Sequence, residues 1–161
     1  MAQYTLSKAV TDILNARLQD EYNAERFYIA ASIWCDLNGF EIASDYFVSE
    51  YKDERKHAHK LQKHATNWNV KLTLPSIIAD DTFTSLPEIV SKAYEMEYAL
   101  CEAYQKDIAA IDEEYPATEV FLQEFIKIQD EAVTGYADIL KKLEGISSKF
   151  ELLAIEKKVF K

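Results

Sequence analysis

A small set of carboxylate, imidazole and amide side chains interrupts otherwise apolar helical patterns, and these side-chain types suit metal coordination. Glu54 and His57 are three residues apart, a spacing that places both on one face of an α-helix. Glu21 and Glu97 interrupt two other apolar stripes, and Gln129 interrupts a fourth. Carboxylate oxygens with a single imidazole suit Fe(II), Mn(II) or Zn(II), so the set points to a divalent transition metal.

The charge of these carboxylates strengthens the prediction of a metal. An ionised carboxylate in an apolar core costs several kcal/mol unless its charge is compensated. The four stripes carry no Lys or Arg at the level of Glu21, Glu54 and Glu97. A bound cation is the simplest compensation. One Glu-x-x-His pair is a weak signal alone, whereas its coincidence with polar residues on three other helices is a strong one.

Four long segments with a period of 3.6 residues must position these side chains. We predict helices at about 7–34, 42–70, 85–114 and 117–145, and a short fifth helix at about 147–158. Each polar interruption lies within about two or three residues of its helix midpoint, so a rise of ~1.5 Å per residue places all of them within ~4 Å of one level. The predicted apolar stripes contain Val10, Leu14, Leu18, Ala24, Tyr28, Ala31 and Cys35; Ala43, Phe47, Tyr51, Ala58, Leu61, Ala65 and Trp68; Val90, Ala93, Leu100, Cys101, Tyr104, Ile108 and Ile111; and Leu122, Phe125, Val133, Tyr136, Leu140 and Leu143.

The connections between the helices predict the topology. Asn38-Gly39 and Tyr115-Pro116 mark two short connections, which make their flanking helices antiparallel neighbours, and Ser85 with Glu88 forms a capping box at the third helix. The stretch from about 71 to 84, which contains Asp80-Asp81, is long for a bundle. Its roughly 14 residues can span ~45 Å, about the length of one helix, and so leave helices two and three parallel.

Composition and charge narrow the class of protein. The chain of 161 residues has only three Gly and three Pro, which favours one all-α domain over residues 1–161. A formal net charge of −10 makes nucleic acid and anionic membranes poor partners and cations good ones. The N-terminus has no signal-peptide core, and no apolar run approaches the roughly 20 residues of a membrane span, so we expect a soluble protein of the cytoplasm. Cys35 and Cys101 are expected to be buried free thiols.

These residues resemble the ferritin family over nearly the whole chain. The resemblance lies in Glu21 with Tyr28 seven residues later, Asp53-Glu54-x-x-His57, Glu97, Tyr115-Pro116 and Gln129. It implies a four-helix bundle with a long crossover between helices two and three and a short fifth helix. It also implies a ferroxidase that oxidises Fe(II) with O₂ or H₂O₂ and stores the product in a shell. Residues 150–156 resemble the helix that lines the four-fold axes of 24-subunit shells.

The resemblance also implies roles for individual residues. Glu21, Glu54 and His57 would hold the first iron, with Glu54 bridging to a second iron held by Glu97 and a further carboxylate. Gln129 would lie near the oxygen-binding side. Tyr28 would be a hydrogen-bond donor and an electron donor, although packing alone explains it about as well.

Several departures from related proteins limit the prediction. Helix four contains no His, unlike the second Glu-x-x-His expected of bacterioferritins, and the two methionines, Met1 and Met96, leave helix two without a haem ligand. We therefore expect no haem. Ile128 and Ala132 stand where a third iron site would need carboxylates. The acidic residues off the core stripes could still offer partial coordination or nucleate mineral, and these are Glu50, Asp53, Asp130 and Glu131.

Two other functions remain open from the sequence. One is a different di-metal oxidase that acts on an organic substrate. Such an enzyme would require a substrate pocket and usually a second imidazole ligand. The other is a metal-free helical interaction protein, with buried glutamates that are protonated or bonded to tyrosines. His59 is expected to be solvated, and His64 to make a simple polar contact.

Overall fold

The structure is a computed structural model that describes residues 5–77, 81–111 and 113–161. The described residues form five α-helices and no β-strand: α1 (Lys8–Leu37), α2 (Glu41–Asn67), α3 (Leu86–Ala110), α4 (Pro116–Leu143) and α5 (Lys149–Phe160). α1 packs mainly against α2, α3 packs mainly against α4, and α5 contacts α2 and α4. None of the described helices combines the length and apolarity that a membrane crossing requires. The predicted all-α fold with a short fifth helix is confirmed.

A tight turn joins α1 to α2 where the sequence predicts it. Gly39 has φ +82°, a left-handed conformation that favours glycine. The amide of Phe40 donates to the carbonyl of Cys35 at 2.9 Å, and the amide of Gly39 donates to the carbonyl of Asp36 at 3.2 Å. This pair of bonds is the Schellman motif, which satisfies the last carbonyls of α1 and turns the chain back along the bundle.

α3 begins at the predicted cap but ends earlier than predicted. The Ser85 hydroxyl accepts a hydrogen bond from the amide of Glu88 at 3.2 Å. The Glu88 carboxylate accepts from the amide of Thr84 at 2.6 Å, one residue before the amide used in a capping box. The helix ends at Ala110 and not near 114, because Ile111 takes an extended conformation with ψ 130°.

The crossover between α2 and α3 is held against the outside of α1. The amide of Thr73 donates to Oδ1 of Asn15 at 2.8 Å, and Nε2 of Gln19 donates to the carbonyl of Ser76 at 3.2 Å. Residues 78–80, which include the Asp80 of the predicted loop, lie outside the described residues. The two bonds to α1 satisfy backbone groups that a long irregular segment would otherwise leave to water.

α5 is attached to the end of the bundle by a buried carboxylate. Phe40, at the N-cap of α2, makes no side-chain capping bond. Oε1 of Glu156 in α5 instead accepts a hydrogen bond from the amide of Ala43 at 2.7 Å, so it satisfies a free amide in the first turn of α2. Phe160 packs edge-on against Tyr46 with ring centroids 5.4 Å apart. A charge-assisted cap and an aromatic contact therefore orient α5.

The apolar core forms two clusters with a polar layer between them. One cluster contains α1 residues 24–35, and the other contains α1 residues 10–18. The same division holds in the other three long helices, and the gaps between the clusters contain the buried polar residues Glu21, Glu54, Glu97 and Gln129. Apolar packing above and below therefore holds one polar level rigidly near the middle of the bundle.

Candidate metal centre

Three predicted ligands meet at this level. Glu21 from α1 and Glu54 from α2 are buried, and His57 is mostly buried one turn after Glu54. One ligand atom from each of the three lies within 4.8 Å of the others. Nδ1 of His57 is 3.3 Å from Oε2 of Glu54 and 3.5 Å from Oε2 of Glu21. This spacing allows one cation to contact all three side chains.

Glu97 lies in the same layer but is held by its own pair of donors. The Tyr28 hydroxyl donates a hydrogen bond to Oε1 of Glu97, and Nε2 of Gln129 donates to Oε2 at 2.6 Å. All three side chains are buried. Tyr28 and Gln129 therefore fix the orientation of the Glu97 carboxylate, and the packing interpretation of Tyr28 is incomplete because its hydroxyl has a specific partner.

A further tyrosine orients Glu21, and its role was missed in the sequence. The Tyr104 hydroxyl donates to Oε1 of Glu21 at 2.5 Å. The guanidinium of Arg17 lies 6.0 Å from the Tyr104 ring centroid and pairs with Asp107, with Nη1 and Oδ2 3.3 Å apart. Tyr104 was assigned to an apolar stripe because periodicity reports which face a residue occupies and not what its hydroxyl reaches.

The protonation of the centre reflects burial without a cationic partner. Burial raises the pKa of Glu54 well above its ordinary value, and the charges of Glu21 and Glu97 add to the effect. Burial raises the pKa of Glu97 despite the bonds from Tyr28 and Gln129. Burial also acts to raise the pKa of Glu21, but the neighbouring Glu54 and His57 outweigh it and lower that pKa. The metal-free centre therefore keeps a proton on Glu54 beside an ionised Glu21.

Two buried oxygen atoms make the centre suitable for a cation. Oε1 of Gln129 accepts no hydrogen bond from the described part of the chain, and Oε2 of Glu21 has no donor there other than its fellow ligands His57 and the protonated Glu54. No Lys or Arg within the described ranges forms an ion pair with Glu21, Glu54 or Glu97. Unpartnered oxygens and uncompensated carboxylates are the donors that hard and borderline divalent cations require.

A cavity of about 470 Å³ connects this centre to the surface between α2 and α4. Glu54, His57 and Gln129 lie at its inner side. Its wall on α4 includes Ile128, Ala132 and Gly135. The small side chains of α4 leave space that a larger residue would fill, so the two helices remain separated beside the centre.

The four acidic residues predicted off the stripes occupy different environments. Glu50, Asp53 and Glu131 line the cavity, while the exposed Asp130 is absent from its lining. Asp53 pairs with Lys56 at 2.8 Å. Asp130 instead lies close enough to Cys101 to contribute to the raised pKa of that thiol, after burial. The structure therefore brings three of the four acids together and leaves Asp130 apart.

Glu50 differs from the other two acids because it is directed into the protein. Its Oε2 accepts a hydrogen bond from the buried Tyr136 hydroxyl at 2.9 Å. Burial raises its pKa to about 7, and the negative charges of Glu97 and Asp53 contribute. Its inward orientation could have been predicted from the sequence, because Glu50 lies one turn before Glu54 on the same face of α2.

The remaining histidines and cysteines lie away from the ligand cluster. His59 is exposed, while Nε2 of His64 lies 2.9 Å from Oγ1 of Thr118 and its ring stacks on Phe121. Cys35 is buried, and burial raises its pKa to about 12. The prediction of burial is wrong for Cys101, which is partly exposed because it lies at the edge of the α3 stripe and not at its centre.

Known proteins share both the sequence pattern and the fold. The Ferritin-like domain family matches residues 11–146. A probable bacterial non-heme ferritin-like protein of Haemophilus influenzae is 28% identical over 141 residues, which are 86% of this chain and 85% of that protein. A bacterial non-heme ferritin of Staphylococcus saprophyticus is 27% identical over 133 residues, 80% of this chain and 79% of that protein.

Solved structures agree on the fold. The open pore ferritin of Archaeoglobus fulgidus superposes with a TM-score of 0.88 at 22% identity and covers 96% of both chains. A humanized archaeal ferritin superposes with a TM-score of 0.89 at 23% identity, over 96% of this chain and 97% of that chain. Since the family match spans residues 11–146 and includes every residue of the polar layer, this chain is a member of the ferritin family.

Proposed function

We propose that this chain is the subunit of an iron-storage ferritin and that its buried centre oxidises Fe(II) to Fe(III). The observation that carries the proposal is the cluster of Glu21, Glu54 and His57, whose ligand atoms lie within 4.8 Å of one another in an apolar core, with the buried Glu97 in the same layer. The names of the two bacterial relatives support iron as the substrate metal.

The ligands divide between two iron positions in this proposal. Glu21, Glu54 and His57 hold the first Fe(II), and Glu54 also reaches the second, which Glu97 holds. Two Fe(II) ions supply the two electrons that, with two protons, convert O₂ to H₂O₂ or H₂O₂ to two waters. Pairing the ions lets one oxidant take both electrons without release of a radical. The carboxylates stabilise the additional positive charge of Fe(III).

In this proposal Tyr28 and Gln129 have supporting roles. Both donate to Glu97 and hold its two oxygens in place. Burial raises the pKa of Tyr28 well above its ordinary value, so the phenol keeps its proton and remains a donor. In this proposal Tyr28, which is bonded to the Glu97 carboxylate, is also an electron donor to the oxidant once the two iron ions are oxidised.

We expect the protein to form a large hollow assembly, with 24 subunits as in the shells that its fifth helix resembles. The outer face of α5 exposes Phe150 at 82% and Leu153 at 40%, and these apolar side chains need a partner surface. Static light scattering at micromolar protein should report a mass many times that of the chain. A monomer or simple dimer would contradict the storage function, because neither encloses a mineral.

The fast phase of iron oxidation should saturate at about two Fe(II) per subunit, the occupancy of a two-metal site. Ile128 and Ala132 offer no oxygen where a third iron would need carboxylates, so binding there should be weak. Stopped-flow absorbance during aerobic addition of Fe(II) measures the saturation point, and slower mineral growth should follow. Saturation at about three Fe(II) per subunit would show that the remaining acids form a third site.

The same titration separates the alternatives. A metal-free interaction protein would show no saturable fast phase. A di-metal oxidase with an organic substrate would turn over that substrate and would not accumulate ferric mineral.

A further inference from the structure

Glu50 lies where a fourth carboxylate of the centre would stand. It precedes Glu54 by four residues on α2, so one turn of helix separates the two side chains on one face. Both line the cavity that reaches His57 and Gln129. Its carboxylate is also close enough to Glu97 that the charge of Glu97 contributes to its raised pKa. Glu50 therefore shares a cavity with Glu54 and lies within electrostatic range of Glu97.

The charge of the centre is incomplete without Glu50. Glu21, Glu54 and Glu97 carry three negative charges when ionised, whereas two divalent cations carry four positive charges. Di-metal bundles use four glutamates, two of them with histidines, which balances the charge of the metal pair. Here α4 contributes the neutral Gln129 to the layer, and Ile128 and Ala132 beside it are apolar. The one acid of α4 in the cavity lining, Glu131, is exposed, so a carboxylate from another helix is the better candidate for the missing ligand.

We propose that Glu50 is a ligand of the second iron position, beside Glu97 and Glu54, and replaces the carboxylate that α4 lacks. The proposal rests on the ferroxidase function and names the further carboxylate which that function requires. α2 then supplies three ligands, Glu50, Glu54 and His57, at successive turns of one face.

Two hydrogen-bonding features support a ligand role for Glu50. The Tyr136 hydroxyl donates to Oε2 of Glu50, which orients the carboxylate and leaves Oε1 for a cation. Gln129, which is fully buried and lines the same cavity, has its Oε1 without a hydrogen-bond partner among the described residues. A metal ion in this part of the cavity could bind Oε1 of Glu50 from α2 and Oε1 of Gln129 from α4.

Crystals soaked anaerobically in Fe(II) test the proposal through anomalous scattering at the iron edge. The wild-type protein should show two peaks, one beside Glu21 and His57 and one beside Glu97 within bonding distance of Glu50. In the Glu50→Gln variant the occupancy of the second position should fall by at least about five-fold, and the first peak should remain. Glutamine keeps an oxygen that accepts from Tyr136, so the structural role of the side chain is preserved.

Matched variants separate ligation from packing and from general acidity. Asp53→Asn and Glu131→Gln remove charge from the same cavity and should keep both peaks. Tyr136→Phe removes the hydrogen bond that orients Glu50 but keeps the carboxylate, so it should weaken the second peak less than Glu50→Gln does. Full occupancy of both positions in Glu50→Gln, or a wild-type Glu50 that contacts no iron, would overturn the proposal alone. Wild-type crystals with no iron at either position would overturn the ferroxidase function itself.

Discussion

Replacing Glu54 by alanine is expected to lower the initial rate of Fe(II) oxidation by at least about 100-fold, the loss typical of removing one charge-stabilising group. Glu54 is the carboxylate within reach of both proposed iron positions: Nδ1 of His57 lies 3.3 Å from its Oε2, and the charge of Glu97 contributes to its raised pKa. Without Glu54 the two ions are no longer held together, so they cannot transfer two electrons to one oxidant in a shared step. Stopped-flow absorbance under aerobic conditions measures the rate.

The same variant should remain folded. Metal-free Glu54→Ala is expected to unfold at a temperature no lower than metal-free wild type, because the substitution removes a buried carboxylate that burial and Glu21 destabilise. His59→Ala is the matched control, since His59 is exposed on the same helix and should change neither rate nor stability. A lower unfolding temperature for Glu54→Ala would show that the hydrogen bond between protonated Glu54 and Glu21 stabilises the metal-free protein more than burial of Glu54 destabilises it.

Much of the fold could be predicted from the sequence because helical periodicity records which residues face the core. Every residue of the predicted stripe on α1 is buried, and α1 also buries Glu25, Phe27 and Ser32, which the stripe omits. Asn38-Gly39 and Tyr115-Pro116 lie at the short connections as expected, since glycine and proline have specific backbone requirements. Helix ends were less accurate because they depend on single residues, such as the extended Ile111 that ends α3.

The polar layer was predictable to the level of individual helices but not of individual bonds. Equal distance from the helix midpoints indicated that Glu21, Glu54 and Glu97 share one level. The partners of these residues depend on the rotation and spacing of packed helices, so Tyr104 at Glu21 and Tyr136 at Glu50 were not apparent. The bond between Glu156 of α5 and the amide of Ala43 at the start of α2 was not predicted for the same reason, because 113 residues separate the two partners.

Asp130 shows where helical geometry could have improved the prediction. At a rotation of about 100° per residue, Asp130 lies roughly opposite the face of α4 that Ile128, Ala132 and Gly135 occupy, whereas Glu131 borders that face. Glu131 shares the cavity wall with Ile128 and Ala132, at spacings of three and one residues, and Asp130 lies on another face. Spacing within the helix therefore distinguishes these two acids without a structure.

The last prediction concerns the stability of the metal-free protein, which should fall as pH rises from about 4.5 to about 7. Glu50 has an ordinary pKa of 4.5, which applies to the unfolded chain, and a folded pKa of about 7. The folded protein therefore binds more protons in this range, and the free energy of unfolding decreases with pH. At about 1.4 kcal/mol per pKa unit the contribution of Glu50 is on the order of 3 kcal/mol.

Other titrating groups also change the stability of the metal-free protein in or near this pH range. The raised pKa values of Glu54 and Glu97 act in the same direction as Glu50. The lowered pKa of Glu21 affects stability only below about 4.5, where it loses stabilisation as pH falls. His64 opposes the trend, because burial lowers its pKa and the folded protein gains stability as the unfolded imidazole loses its proton near 6.5.

We would compare the urea unfolding midpoints of wild type and Glu50→Gln at equal protein concentration. The difference between them isolates the contribution of Glu50 to stability, since the effects of assembly and of His64 are common to both proteins. With a chelator present, the wild-type midpoint should fall relative to the variant between pH 4.5 and 7. Redox-inactive Zn(II) should reverse the trend, because it binds ionised carboxylates, and at about 100 times its dissociation constant adds about 2.7 kcal/mol. A wild-type midpoint that rises with pH relative to Glu50→Gln would show that Glu50 is ionised and stabilised in the metal-free protein.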